Sequence, residues 1–134
     1  MQEPRRDGWP KDLPEFLGWQ PLGERDGVWR CRMPVRPEHI AGNGYLHATC
    51  VMGLADLCCA GGTFATIPEG ASFTTVELKI NLLGTAREGS LLAEATLEHG
   101  GRTTQVWDCV VTSEPGGRRI ALFRCTQLIL HPRP

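Results

Sequence analysis

The sequence predicts an α+β fold in which one long central helix is wrapped by a curved antiparallel sheet of five or six strands. Two observations carry this. Residues 46–67 are rich in Ala, Leu, Met and Cys and contain no Lys or Arg, so they read as a helix that is apolar nearly all round. From Thr75 to Leu82 polar and apolar residues alternate strictly, and three more stretches of strand character follow. A lone helix without a polar face needs a cover, and only the strands of the same chain offer one.

The elements follow in order. Residues 1–10 are polar and contain Pro, which predicts a loose N-terminal tail ahead of a single domain over 11–134. Residues 12–17 form a short helix, with Asp12 as N-cap and Pro14 in its first turn. Two strands, 19–24 and 28–35, flank the turn Arg25-Asp26-Gly27. Residues 36–45 are a loop containing the flexible run Ala41-Gly42-Asn43-Gly44. The long helix follows, its last turn loosened by Gly61-Gly62 and its end marked by Pro68-Glu69-Gly70. Strands 75–82, 91–98, 103–113 and 119–130 are joined by short connections, which predicts an antiparallel meander. Together these elements describe a hotdog fold.

Composition narrows the function classes. Hydrophobic residues make up 41% and charged residues 22% of the 134, an ordinary globular balance. Fourteen Lys+Arg against fifteen Asp+Glu give a net charge of −1, with no excess to build a face for nucleic acid. The first seven residues hold no apolar core for a secretory signal. Asp56 sits at the centre of the one apolar window, where a carboxylate costs about 2.5–3.5 kcal/mol in a bilayer, which argues against membrane insertion. Cys31, Cys50, Cys58, Cys59, Cys109 and Cys125 form no CxxC pair and no zinc-ligand spacing with His. They read as buried free thiols of a reducing compartment, so the expected location is cytoplasmic.

With these elements in place, the sequence resembles the PaaI-like hotdog thioesterases, which hydrolyse acyl-CoA thioesters. The residues that carry the resemblance are Gly44-Tyr45-Leu46-His47-Ala48-Thr49, then Leu54-Ala55-Asp56, then the Thr-rich strand from Thr74 to Leu82. Ala86-Arg87-Glu88-Gly89 and His99-Gly100-Gly101-Arg102-Thr103 follow. The match spans about residues 40–130. Two departures stand out. The family's His-Gly-Gly is His47-Ala48-Thr49 here, and its Asn falls on Ala41, with Asn43 two residues later. Either the loop re-registers so that Asn43 serves, or that contact is absent.

Each candidate residue has a functional and a plain structural reading. Asp56, a carboxylate in an apolar helix, is expensive to bury unpaired. It is a general base or nucleophile for a thioester carbonyl, or else it bonds a neighbouring backbone or hydroxyl group. The helix N-terminus at His47-Ala48-Thr49 presents unpaired N–H groups and the positive end of the helix dipole, a natural oxyanion site. The resemblance implies that the backbone N–H of Ala48 is the key donor. His47 lines the site or only orients the loop. The resemblance also places Thr75 where related enzymes hold the attacking water, although Thr is a common strand residue. Asn43, Gly44 and Thr49 are candidate substrate contacts. Gly101, Arg102 and Thr103 either bind CoA phosphate or form an ordinary hairpin turn.

Asp56 and Ala48 are eight positions apart, about 12 Å along a helix axis, so one helix cannot bring both to one carbonyl. The resemblance implies sites shared across a homodimer, or across a homotetramer made of two dimers. The expected activity is hydrolysis of a small, medium-chain or aryl acyl-CoA, with no cofactor because CoA is part of the substrate. The alternative from another class is a non-catalytic acyl-CoA-binding or regulatory hotdog module.

Overall fold

The computed structural model describes residues 12–134; the expected N-terminal tail lies outside the described residues. Helix α1 (Leu13–Leu17) starts where Asp12 accepts the Glu15 N–H at 3.0 Å, as the capping pattern predicts. Strands β1 (Gln20–Arg25) and β2 (Val28–Pro34) form the expected hairpin. A single 3₁₀ turn over Pro37–His39 leads to the long helix α2 (Ala48–Thr66). Strands β3 (Ser72–Leu82), β4 (Ser90–Gly100), β5 (Thr104–Glu114) and β6 (Arg119–Leu130) complete the chain.

The six strands form one antiparallel sheet in the order β1-β2-β4-β5-β6-β3, curved around α2. The predicted hotdog arrangement holds, with one change to the meander. Strand β3 pairs with β6 at the sheet edge, not with β4. Between β3 and β4 lie two intervening strands, about 14 Å across at the usual spacing. Residues 83–89 can reach roughly 23 Å when extended, so a short link still crosses that gap. Shortness of a connection therefore did not imply adjacency.

Helix α2 is long and apolar enough to cross a membrane by length and composition, and in this fold it is the core helix. The sheet covers only one of its faces. Cys50, Val51, Leu54, Ala55, Cys58, Cys59, Gly62 and Thr63 are buried against the strands. On the opposite side Met52 and Asp56 are half-buried and Phe64 is 75% exposed. The expectation of a helix enclosed all round is therefore met on one face within the protomer.

Gly61-Gly62 does not loosen the last turn, because α2 continues to Thr66. Gly62 is there for space: a Cβ on it would lie well inside contact distance of the buried Trp107 ring, whereas Gly61 meets nothing.

A β-bulge between Thr75 and Glu77 changes what β3 presents. Strict alternation would put Thr75 on the outer face with Glu77, Lys79 and Asn81. With Val76 as the extra residue, Thr75 pairs with the buried Gln127 while Glu77 pairs with the outward Thr126. Thr75 thereby joins Leu78 and Ile80 on the side facing α2.

Candidate functional site

Asp56 lies midway along α2 at the margin of the face the sheet leaves open, against β3. Its Oδ1 accepts a hydrogen bond from Thr75 Oγ1 at 3.0 Å. Partial burial pushes its carboxyl above the ordinary Asp range, and the Thr75 bond pulls it part of the way back. Thr75 reaches it only because of the bulge. The same hydroxyl lies 2.7 Å from Oε1 of Gln127 on β6.

The N-terminus of α2 begins without a side-chain cap on its N-cap residue, His47. Among the described residues the N–H groups of Ala48 and Thr49 have no hydrogen-bond partner, and both residues are exposed. These donors stand at the positive end of the helix dipole, open to an incoming oxygen. His47 is fixed through its backbone, its N–H donating to the His39 carbonyl at 2.8 Å, and its exposed ring makes no hydrogen bond among the described residues.

His39 anchors this entry. Its Nδ1 accepts the Arg36 N–H at 3.0 Å, which leaves Nε2–H to donate to the Leu17 carbonyl at 2.9 Å. Burial holds the ring below the ordinary His range and therefore neutral. Asn43 serves its own turn, Oδ1 accepting the Tyr45 N–H at 3.1 Å. Gly44 takes φ +87 in that turn, where a Cβ would strike the Arg87 guanidinium. Beside the helix start, Tyr45, Val51, Leu82 and Leu83 line an apolar cleft of about 320 Å³.

Gly101, Arg102 and Thr103 form the turn between β4 and β5 at the far end of α2. Gly101 and Arg102 border a small cleft of about 130 Å³ with Pro68, Gln105 and His131. Arg102 is exposed and its guanidinium makes no ion pair among the described residues. Within one protomer the fold thus brings Asp56 and Thr75 together. Ala48 and the Arg102 turn remain at opposite ends of the helix, separated by roughly 27 Å of helix rise. Gln127 was missed by the sequence reading. Its signal was present in the sequence: an amide flanked by Cys125 and Ile129 at alternate positions of an otherwise apolar strand face. No group of three or more His, Cys, Asp or Glu among the described residues could hold a metal ion.

A family model described as the thioesterase superfamily matches residues 43–120, and the chain belongs to that family. It is a thioester hydrolase. The chain is 30% identical over 83 residues to 1,4-dihydroxy-2-naphthoyl-CoA hydrolase of Listeria monocytogenes, spanning 62% of this chain and 67% of that protein. Among solved structures, a thioesterase from Pseudomonas aeruginosa superposes with a TM-score of 0.85 at 25% identity, covering 90% of this chain and 86% of that one. A thioesterase from Staphylococcus aureus gives 0.82 at 26% identity, covering 87% and 97%.

Proposed function

We propose that the protein hydrolyses acyl-CoA thioesters with an aryl acyl group, using Asp56 as general base. The observation that carries this is Asp56 itself, a half-buried carboxylate beside the open face of an apolar helix, held by a hydroxyl and, among the described residues, by no cation. Asp56 takes a proton from water, and the oxygen attacks the thioester carbonyl carbon. The resulting oxyanion is met by the uncapped Ala48 N–H of a second copy. Collapse breaks the C–S bond, and the proton on Asp56 passes to the departing CoA thiolate. Thr75 keeps the carboxylate oriented. His47 and Thr49 border the oxyanion site, while Arg102, with Gly101 and Thr103, meets a CoA phosphate. The aryl preference is supported by the naphthoyl-CoA named for the Listeria relative. Tyr45 and Phe64, 59% and 75% exposed beside the open face, are suited to contact an aromatic ring.

The same reading includes a homodimer. Strand β3 ends the sheet with Val76, Leu78 and Leu82 at 56%, 39% and 48% exposure, an apolar edge suited to a second copy. The test is hydrolysis of short, medium, long and aryl acyl-CoA esters by wild type and Asp56→Asn, beside a solution mass. Aryl esters are expected to turn over fastest, with a loss of about a thousandfold or more in the variant. Full activity in Asp56→Asn overturns the role of the acid, and a mass of 14.7 kDa, one chain, overturns the shared site.

A further inference from the structure

A row of three polar side chains crosses the sheet beneath α2: Gln105 on β5, Gln127 on β6 and Thr75 on β3, consecutive partners in register. Gln105 is fully used. Its Oε1 accepts the Trp107 indole N–H at 2.9 Å and its Nε2 donates to Thr66 Oγ1 at 3.2 Å. Gln127, at 0% exposure, is not: its Oε1 sits 2.7 Å from Thr75 Oγ1 and its Nε2 has no partner among the described residues. Thr75 meanwhile has one hydroxyl proton and two acceptors within reach, Gln127 Oε1 at 2.7 Å and Asp56 Oδ1 at 3.0 Å. An orphaned buried amide is destabilising, a cost that a Met of similar length would avoid. The position therefore has a use for both ends of a carboxamide.

Those two ends are alike in shape and opposite in role. With oxygen toward Thr75, the hydroxyl proton goes to Gln127, and Thr75 is free to accept from a protonated Asp56. With nitrogen toward Thr75, Gln127 donates, and the hydroxyl proton is left for the Asp56 carboxylate alone. We propose that Gln127 is a positioning residue for Asp56: its carboxamide turns over as Asp56 loses or gains a proton and, through the Thr75 hydroxyl, offers the carboxylate a donor and the acid an acceptor. The inference rests on the reading of Asp56 as the base and adds a residue that never touches substrate.

Nothing charged competes for this role among the described residues. The groups facing α2 from its neighbours are the thiols Cys31, Cys109 and Cys125, the neutral His39 and, at the helix start, Arg36, whose charge acts on Cys50. Glu77 and Lys79 of β3, Arg30 and Arg32 of β2, Glu94 of β4, Asp108 of β5 and Arg124 of β6 alternate to the outer face. Donation from Gln127 Nε2 polarises the Thr75 hydroxyl toward the carboxylate, and bonds in such a chain strengthen one another, so losing Gln127 weakens the charge-assisted Thr75–Asp56 bond more than its neutral counterpart. Asp56 should then ionise at higher pH.

The test is a ¹³C-carboxyl titration of Asp56 in the full chain without substrate, the resonance being identified by its absence in Asp56→Asn. Gln127→Met is expected to raise the midpoint by about half a pH unit. The acid limb of kcat/KM should move by the same amount with KM unchanged. In a Thr75→Val background the same substitution should move the midpoint by less than a third as much. If Gln127→Met fails to fold, Gln127→Glu serves, with a midpoint raised further because two carboxyls then share one hydroxyl proton. An unmoved midpoint overturns the proposal, as does an undiminished shift when Thr75 is absent. Because the titration needs no turnover, an inactive wild type whose Asp56 still follows Gln127 overturns only the thioesterase reading. An active enzyme with a fixed midpoint overturns only the coupling.

Discussion

The two faces of α2 differ in what covers them. Against the sheet, Val51, Leu54, Ala55, Cys58 and Cys59 are at most 1% exposed and pack on Met33, Leu91, Trp107 and Val111. Across the helix, Met52, Asp56, Ala60 and Phe64 have no such cover. Both faces are apolar in composition, so a pattern of hydrophobic residues cannot separate them. What separates them is Asp56: a carboxylate on the sheet face would be a folding defect, and beside the open face it is within reach of a ligand. An apolar stripe with one acid in it is thus a sign of a shared surface as much as of a core.

The largest effect should come from the open face. Asp56→Asn should abolish hydrolysis and also stabilise the fold. The folded carboxyl ionises above the ordinary Asp range, so its charge opposes folding once the pH exceeds that range. The variant should melt at a higher temperature at neutral pH, and the gain should vanish as the pH falls below the ordinary Asp range, about 4. Thermal melts of the two proteins at two pH values check this.

The adjacent glycines sharpen the contrast. Gly62→Ala should cost about 2 kcal/mol by overpacking Trp107. Gly61→Ala should gain about 0.5–1 kcal/mol from helix propensity, since nothing lies near it. If Gly61→Ala instead weakens self-association in sedimentation, a second copy approaches closely there.

His39 tests the entry to the helix. Burial lowers its ionisation range in the fold, so its contribution is complete above the ordinary His range and is lost as pH falls through it. Wild type should therefore lose Tm between about pH 7 and pH 5, and His39→Gln should flatten that slope.

The smallest effect belongs to the outer sheet surface. There Arg124 donates to Asp108 at 2.8 Å and holds that carboxyl below the usual range. Asp108→Asn should cost less than about 1 kcal/mol at neutral pH, because Arg124 is largely in solvent. The difference from wild type should disappear in acid.

Local rules account for what was legible. Asp12, Pro14 and the Gly-containing turns signal themselves through backbone chemistry, and β6 was bounded correctly because Gly116-Gly117 precedes it. The acid at Asp56 stood out because burying a charge needs a reason. Long-range pairing did not show. The place of β3 beside β6 depends on sheet closure around the helix, which no window of residues encodes. The bulge at Val76 was equally hidden, since Thr75-Val76-Glu77 is a flawless alternation that the chain breaks to aim a hydroxyl. Gln127 escaped for a related reason: its importance comes from a neighbour 52 residues away in sequence.

The buried thiols bear on how this protein can be watched at work. All six cysteines are free and buried. Neighbouring thiols and then burial push Cys31, Cys58 and Cys59 upward, while Cys109, favoured as thiolate by Cys58 and Cys59, is sealed at 1% exposure. A thiol-reactive dye should therefore be silent toward the folded enzyme and colour only with liberated CoA. When the fold opens, six new sulfurs report it at once. One reagent then times both catalysis and collapse in the same cuvette.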